Sequence, residues 1–268
     1  MPGIAQLIVV AALSIAHIAP LGGAAHYSLF RTFEFGPDIA NSVVYLAVSV
    51  GLLAAMLAYF CVDLWEMGAG LVRAAKGKRD PAARLAAQLV AATVLVASIV
   101  FALPFLDFEF PAPTPTVIGW SAVIGGAFLL LFDRASMTIK RLEHASFIDM
   151  FVVALAQVIA FLVPGVSRSS ITMTFARALG YERVHAARFS MLLGIPAMAG
   201  WCVLQAMELA RDDILFWRPW LLAVGGVSFF AGLITLAIMM EWLRRRSFAP
   251  FAIYRVLIGA VILVWQNS

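Results

Sequence analysis

Charge is what this sequence is short of. Only 13% of its 268 residues are Asp, Glu, Lys or Arg, while 63% are hydrophobic and mean hydropathy is +0.96; an average soluble domain carries about 25% charged residues. A chain so poor in charge cannot clothe a globular surface in water, so it is read as a multi-spanning membrane protein. For the same reason the net charge of +4 is not the footprint of a nucleic-acid partner. Most of the basic residues fall in short loops, the pattern that orients membrane spans. Cysteine is scarce as well. Cys61 and Cys202 lie in or beside apolar spans with no partner spacing for a metal, which leaves them as packing residues. No Lys or Arg precedes Arg31, so the apolar N-terminus lacks the basic region of a secretory signal peptide and is read as retained structure. Carboxylates are missing from residues 1–33 altogether, which argues against a tightly held divalent cation there.

What the chain has in abundance is apolar runs, and their lengths sort them. Residues 3–19 end at Pro20-Leu21-Gly22-Gly23, followed by a short run to Phe30. One helix of that length barely crosses a bilayer, so two half-helices entering and leaving by the same side fit better. Ala40–Cys61, Leu85–Leu103 and Val117–Phe132 read as full spans. Between the first two lies an amphipathic stretch carrying Arg73, Lys76, Lys78, Arg79 and Arg84, read as cytoplasmic. The acidic, proline-rich loop with Asp107 and Glu109 is expected on the outside. The second half repeats the plan. Phe147–Val163 breaks at Pro164-Gly165, a half-helix runs to Leu179, and Ala186–Met207, Leu221–Met240 and Pro250–Trp265 span.

At one offset of 144 residues Pro20 meets Pro164, Gly36 meets Gly180 and Asp38 meets Glu182, and the order of elements matches too. Loop charges place the first hairpin on the outside and the second on the inside. The expected fold is therefore a single all-α integral membrane domain over residues 1–268, built from two inverted repeats, about 1–135 and about 145–268. Each repeat is a re-entrant broken-helix hairpin plus three transmembrane helices, making about six full spans and two re-entrant hairpins. Irregular backbone and an arginine are tolerated at membrane depth only where protein or water satisfies them. The breaks at Pro20 and Pro164 should thus face one polar cavity.

The second break is the chemically rich one. Pro164-Gly165-Val166-Ser167-Arg168-Ser169-Ser170-Ile171-Thr172 packs an arginine and four hydroxyls between apolar runs. Ser167 sits where an N-cap belongs. A helix N-terminus with a forked cation beside it suits a phosphate, which makes Ser167, Arg168, Ser169, Ser170 and Thr172 the candidate cradle. Arg177 and Arg188 follow and could add positive charge. Gln157 either bonds across the cavity or acts as interhelical glue. The first hairpin offers Gln6, Ser14, His17, His26, Tyr27 and Ser28. His17 and His26 flank its break, and His26 stands in mirror position to Ser170. A neutral imidazole there could serve as general base, or as a nucleophile on phosphorus.

With these residues assembled, the chain resembles the undecaprenyl-diphosphate phosphatase, or bacitracin-resistance, family. The resemblance is strongest from Gln157 to Gly200, where Pro-Gly-x-Ser-Arg-Ser-x-x-Thr is complete and Ala187-Arg188-Phe189-Ser190 follows. It implies a bacterial inner-membrane enzyme with an interlocked inverted-repeat fold and a pocket open to the periplasm. The implied reaction hydrolyses the C55 lipid diphosphate to the monophosphate, recycling the carrier for peptidoglycan. By position, Ser167, Arg168, Ser169 and Thr172 would bind the diphosphate and Arg188 would support it. The resemblance also implies a divalent cation, magnesium or calcium, and glutamates that this chain lacks. The family's Glu-x-x-x-Glu positions hold Leu13 and His17, and its hydroxyl pair after the proline is Gly22-Gly23; Pro20 and His26 keep the family spacing. As a phosphatase the chain must then rely on His26, with His17 as a proton carrier. Two alternatives keep the phosphate cradle and drop the chemistry: a translocase for an anionic polyprenyl lipid, and an inactive binder that modulates a partner. The partners expected are the lipid diphosphate and the bilayer, with no nucleic acid; a homodimer is left open.

Overall fold

The structure is a computed structural model that describes residues 3–23, 26, 42–106, 111–136, 140–211 and 219–266. Ten α-helices run through these residues: α1 (Ile4–Ile18), α2 (Ser42–Tyr59), α3 (Cys61–Ala75), α4 (Pro81–Ala102), α5 (Pro115–Ala135), α6 (Phe147–Leu162), α7 (Arg168–Ala178), α8 (Arg183–Arg211), α9 (Trp220–Arg245) and α10 (Ala249–Gln266). Six of them, α2, α4, α5, α8, α9 and α10, are long and apolar enough to cross a membrane, so the chain is an all-α multi-pass membrane protein. The two shorter apolar helices, α1 and α6, are those that precede the breaks at Pro20 and Pro164. The run from Tyr27 through Asp38, and the loops with Asp107, Glu109, Asp212 and Asp213, lie outside the described residues.

Helix boundaries follow local chemistry. Asp80 caps α4, its Oδ1 accepting from the N–H of Ala82 at 2.9 Å, and Pro81 needs no partner at the first position. The Arg73 side chain donates to the other oxygen of Asp80 at 2.5 Å and holds its carboxyl below the usual aspartate range. Thr114 and Pro115 start α5 in the same way, and Ser146 caps α6 by accepting from the N–H of Asp149 at 3.0 Å. Gly165 has φ +84, and a Cβ there would meet the Ile118 backbone at 2.8 Å. A left-handed residue pressed against α5 has to be glycine.

Within a membrane, helices associate by close backbone approach rather than by the hydrophobic effect. Two long pairs do so here. In α2 against α9, a Cβ on Gly51 would lie 2.2 Å from the Gly225 carbonyl oxygen. In α5 against α10, a Cβ on Gly259 would lie 2.7 Å from the Gly119 carbonyl oxygen. Neither obstacle is a movable side chain. Gly51→Ala should therefore destabilise by about 3 kcal/mol, at the top of the usual overpacking range, whereas Gly226→Ala, whose Cβ meets nothing within 4 Å, should be neutral. Thermal unfolding of the two variants in one detergent compares them directly.

Charges collect where the apolar spans end. Asp133, 1% exposed in the last turn of α5, accepts from Arg183 Nε at 2.7 Å and from the Phe248 N–H at 3.1 Å, and it pairs with Arg177 at 3.2 Å. One carboxylate so joins α5, α7, α8 and the start of α10. Nearby, Lys140 reaches Asp149 at 3.2 Å and Arg141 reaches Glu182 at 3.2 Å. Arg177 is thus committed to this knot, about two and a half turns beyond the Arg168 end of α7.

Candidate active site

The local fold dictates where the Pro164–Thr172 motif points. Pro164 and Gly165 turn the chain after α6, and the Pro164 carbonyl accepts from Ser121 Oγ of α5 at 2.9 Å. Ser167 caps α7 as expected, its Oγ accepting from the Ser170 N–H at 3.3 Å and lying 3.2 Å from Ser169 Oγ. The free N–H groups of α7 therefore open beside Ser167, Arg168 and Ser169.

Those three residues line a cavity of about 210 Å³ together with His17 and Gly23 from the first break, Tyr45 and Ser49 from α2, and Ala197, Met198 and Trp201 from α8. The two breaks do meet at one cavity. Arg168 has an Nη1 that is buried and without a hydrogen-bond partner among the described residues. It lies along α8 only because residue 194 is glycine: a Cβ there would stand 2.4 Å from Nη1 and 2.8 Å from Nη2. Pro196, inside α8, leaves the Leu192 carbonyl without its usual helical donor, about half a turn from this contact. Tyr45 stands between His17 and Trp201, 6.1 Å from the imidazole and edge-on to the indole at 5.1 Å.

The other candidates take different places. Thr172 is buried, with its Oγ1 on the Arg168 carbonyl at 2.8 Å and 2.6 Å from Ser190 Oγ, so it ties α7 to α8 beneath the cradle. Ser170 faces away from the Arg168 cavity, and its Oγ has no partner among the described residues. Gln157 is buried at 1% exposure, with Oε1 likewise unpartnered, outside the cavity wall. Arg188 pairs with Asp63 in a separate polar pocket that also holds Glu66, Glu143 and His185; it does not reach the cradle. His26 has both ring nitrogens engaged: Nδ1 with the Gly22 carbonyl at 2.8 Å and Nε2 with the Tyr254 hydroxyl at 2.7 Å, the rings stacked at 5.8 Å. Since a carbonyl only accepts, the neutral ring carries its proton on Nδ1, and Nε2 accepts from Tyr254. His17, not His26, is the imidazole on the cavity wall.

The serine-capped N-terminus of α7 thus opens on a cavity that also holds Arg168, whose Nη1 is unpartnered among the described residues, and the His17 imidazole. The model of the bacitracin resistance protein BacA family matches residues 9–261. This chain belongs to that family. Curated relatives include undecaprenyl-diphosphatase 1 of Rhodospirillum rubrum, 40% identical over 96% of this chain and 93% of its own length. The undecaprenyl-diphosphatases of Ruegeria pomeroyi and Roseobacter denitrificans are 37% and 36% identical, over 96% and 98% of this chain and 97% and 98% of theirs.

Family membership brings the question of a divalent cation, and the donor set answers it locally. Magnesium and calcium need several oxygen ligands, carboxylates foremost. Among the described residues, the wall of the Arg168 cavity offers one imidazole, hydroxyls and a cation, and no carboxylate; Leu13, at the first glutamate position, is 4% exposed in the packing of α1. Among the described residues no three His, Cys, Asp or Glu side chains stand close enough to hold a metal ion. The described residues of this cavity do not fit such an ion.

Several contributors had no signal a single sequence could offer. Gly194 acts by lacking a side chain, and Tyr45 and Trp201 are two aromatics among many in apolar spans. Their roles come from tertiary contacts 26 and more residues away in sequence from Arg168.

Proposed function

We propose that this chain hydrolyses undecaprenyl diphosphate to the monophosphate at the Arg168 cavity, as a metal-independent member of its family. The observation that carries the reading is the Nη1 of Arg168, unpartnered among the described residues, at the serine-capped mouth of α7, on a wall shared with His17. A buried guanidinium without a counter-charge is costly unless an anion supplies one. The terminal phosphate takes that place, accepting hydrogen bonds from the Ser167 and Ser169 hydroxyls and the α7 N–H groups on the same side. Neutral His17 removes a proton from a water as the water attacks the terminal phosphorus. The bond from that phosphorus to the bridging oxygen breaks, inorganic phosphate forms, and the bridging oxygen leaves with the lipid as its monophosphate. Arg168 counters the charge that gathers on the transferred group. His26, bonded at both nitrogens, holds the first break in shape.

The packing supports two inverted halves. α1 lies on α9 as α6 lies on α4, while α2 meets α8 and α5 meets α10. Basic loops at Arg73–Arg84, Lys140–Arg141 and Arg244–Arg246 support a cytoplasmic face at that end and a cavity served from the periplasm of a bacterial inner membrane.

The test is phosphate release from undecaprenyl diphosphate by the purified protein in detergent, with and without EDTA. Release that survives the chelator is expected. Binding of the lipid with no release at any protein concentration would sink the hydrolase reading, and release abolished by EDTA would sink the metal-independent one.

A further inference from the structure

On the opposite side of the Ser167 turn from Arg168 lies a second cavity, larger and far less polar, of about 650 Å³. It runs along α5, between that helix and the α6–α7 hairpin, with Trp120, Ile124, Phe128, Ile159, Ile171 and Phe175 among its walls. Trp120, Ile124 and Phe128 are about half exposed, so on a membrane protein the groove opens to lipid. Its inner end is different in kind. Ser167, Ser170 and Arg255 are there, and Arg255 is a buried cation at 1% exposure.

The hydrogen bonds of Arg255 are incomplete. Nη2 donates to the Ser121 carbonyl at 3.2 Å, while Nε and Nη1 have no partner among the described residues, and no carboxylate pairs with it there. Ser170 Oγ, also 1% exposed, is unpartnered at the same end. A purely structural arginine bridging α5 and α10 would bond its remaining N–H groups to carbonyls, as Arg177 does with Tyr181 and Asp133. Room for the guanidinium is built in: a Cβ on Gly125 would lie 2.6 Å from Nη2. A groove of similar size between α2 and α9 serves as the contrast. Its lining residues, from Val43 to Phe229, include no buried unpartnered polar atom among those described.

We propose that Arg255 and Ser170 form a second anion subsite that holds the lipid-linked phosphate, with the first isoprene units of the chain lying in the groove along α5. Val166 and Ser167 line both cavities, so a diphosphate laid across the turn presents its terminal phosphate to Arg168 and its inner phosphate to Arg255. This rests on the Arg168 cavity being a diphosphate site. It adds a chemical role: when the bond to the terminal phosphorus breaks, the electron pair stays on the bridging oxygen, which becomes an oxygen of the lipid monophosphate. A guanidinium at that oxygen stabilises the leaving group. The same contact makes the monophosphate product a ligand in its own right.

Direct binding separates this subsite from the hydrolytic reading, because the monophosphate has no bond left to cleave. The probes are farnesyl phosphate and inorganic phosphate, titrated against the full-length protein in detergent by calorimetry. Arg255→Leu, close in volume and uncharged, is expected to weaken farnesyl phosphate about 10- to 100-fold, the worth of lost charge-assisted hydrogen bonds. Ser170→Ala, which deletes an atom with no hydrogen-bond partner among the described residues, keeps the fold and is expected to weaken it by about 10-fold or less. Ile124→Trp, filling the groove, should weaken farnesyl phosphate while leaving inorganic phosphate unchanged. Wild-type affinity for farnesyl phosphate in both Arg255→Leu and Ser170→Ala overturns the subsite; an Ile124→Trp variant that binds it normally overturns the groove. Loss of inorganic phosphate binding in Arg168→Ala, with these results standing, keeps the two sites distinct. Lost hydrolysis with intact monophosphate binding counts against the Arg168 mechanism alone.

Discussion

Replacing Arg168 with alanine is expected to lower kcat/KM by about 10³-fold or more, the range for a guanidinium that stabilises a transferring phosphoryl group. At 1.36 kcal/mol per decade that is about 4 kcal/mol of transition-state stabilisation. The structure explains why so much rests on one side chain. It is the one cation on the wall of its cavity, among the described residues, and its Nη1 is kept free rather than bonded within the protein. Arg168→Lys keeps a point charge but loses the planar fork, so it should fall between wild type and alanine. Stability is the control that separates this role from a structural one. Alanine removes an N–H that bonds no group among the described residues, so the unfolding midpoint should stay within a few degrees of wild type. A large fall in that midpoint, or near wild-type phosphate release, contradicts the assignment.

Much of this site is legible in the residues, and the parts that are not share a cause. The Ser167 cap, the turn at Pro164-Gly165 and the six spans depend on local rules: a hydroxyl before a helix, a proline after one, apolar runs of bilayer length. Each needs only neighbours in sequence. Arg255 gives no such signal because its meaning depends on Ser121, 134 positions earlier, and on there being no carboxylate partner for it among the described residues. In the sequence it is one arginine near the start of a span, indistinguishable from an interfacial anchor. Arg188 shows the converse. Its place in the motif argues for the phosphate, while its partner Asp63, 125 positions away, draws it into another pocket. The proposed roles of the two histidines likewise turn on Tyr254, whose hydroxyl occupies His26 from a helix 228 residues distant.

That exchange of roles makes the second large prediction. His17→Ala should lower kcat by about 10²–10⁴-fold, the usual worth of a positioned general base, and change KM little, because Arg168 and the α7 N–H groups still hold the ground state. His26→Ala should act differently. It removes bonds to the Gly22 carbonyl and the Tyr254 hydroxyl, so its main effect should be on the unfolding midpoint, with the smaller loss in kcat. The reverse ranking would return the proton transfer to His26. Gly23 supplies an independent check. A Cβ at that position would lie 2.5 Å from both Cα and Nδ1 of His17 and 2.7 Å from its Cβ, so the imidazole cannot keep its place beside any residue but glycine. Gly23→Ala should therefore reproduce the kcat loss of His17→Ala with the histidine still present. If both act through the position of one ring, the double variant should be no slower than the worse single one, and far less than the product of the two. Multiplicative losses would mean that Gly23 matters for something other than His17. The glycine that replaces a family hydroxyl and the histidine that replaces a family glutamate would then be separate changes, instead of one geometric unit that moves a proton without a metal.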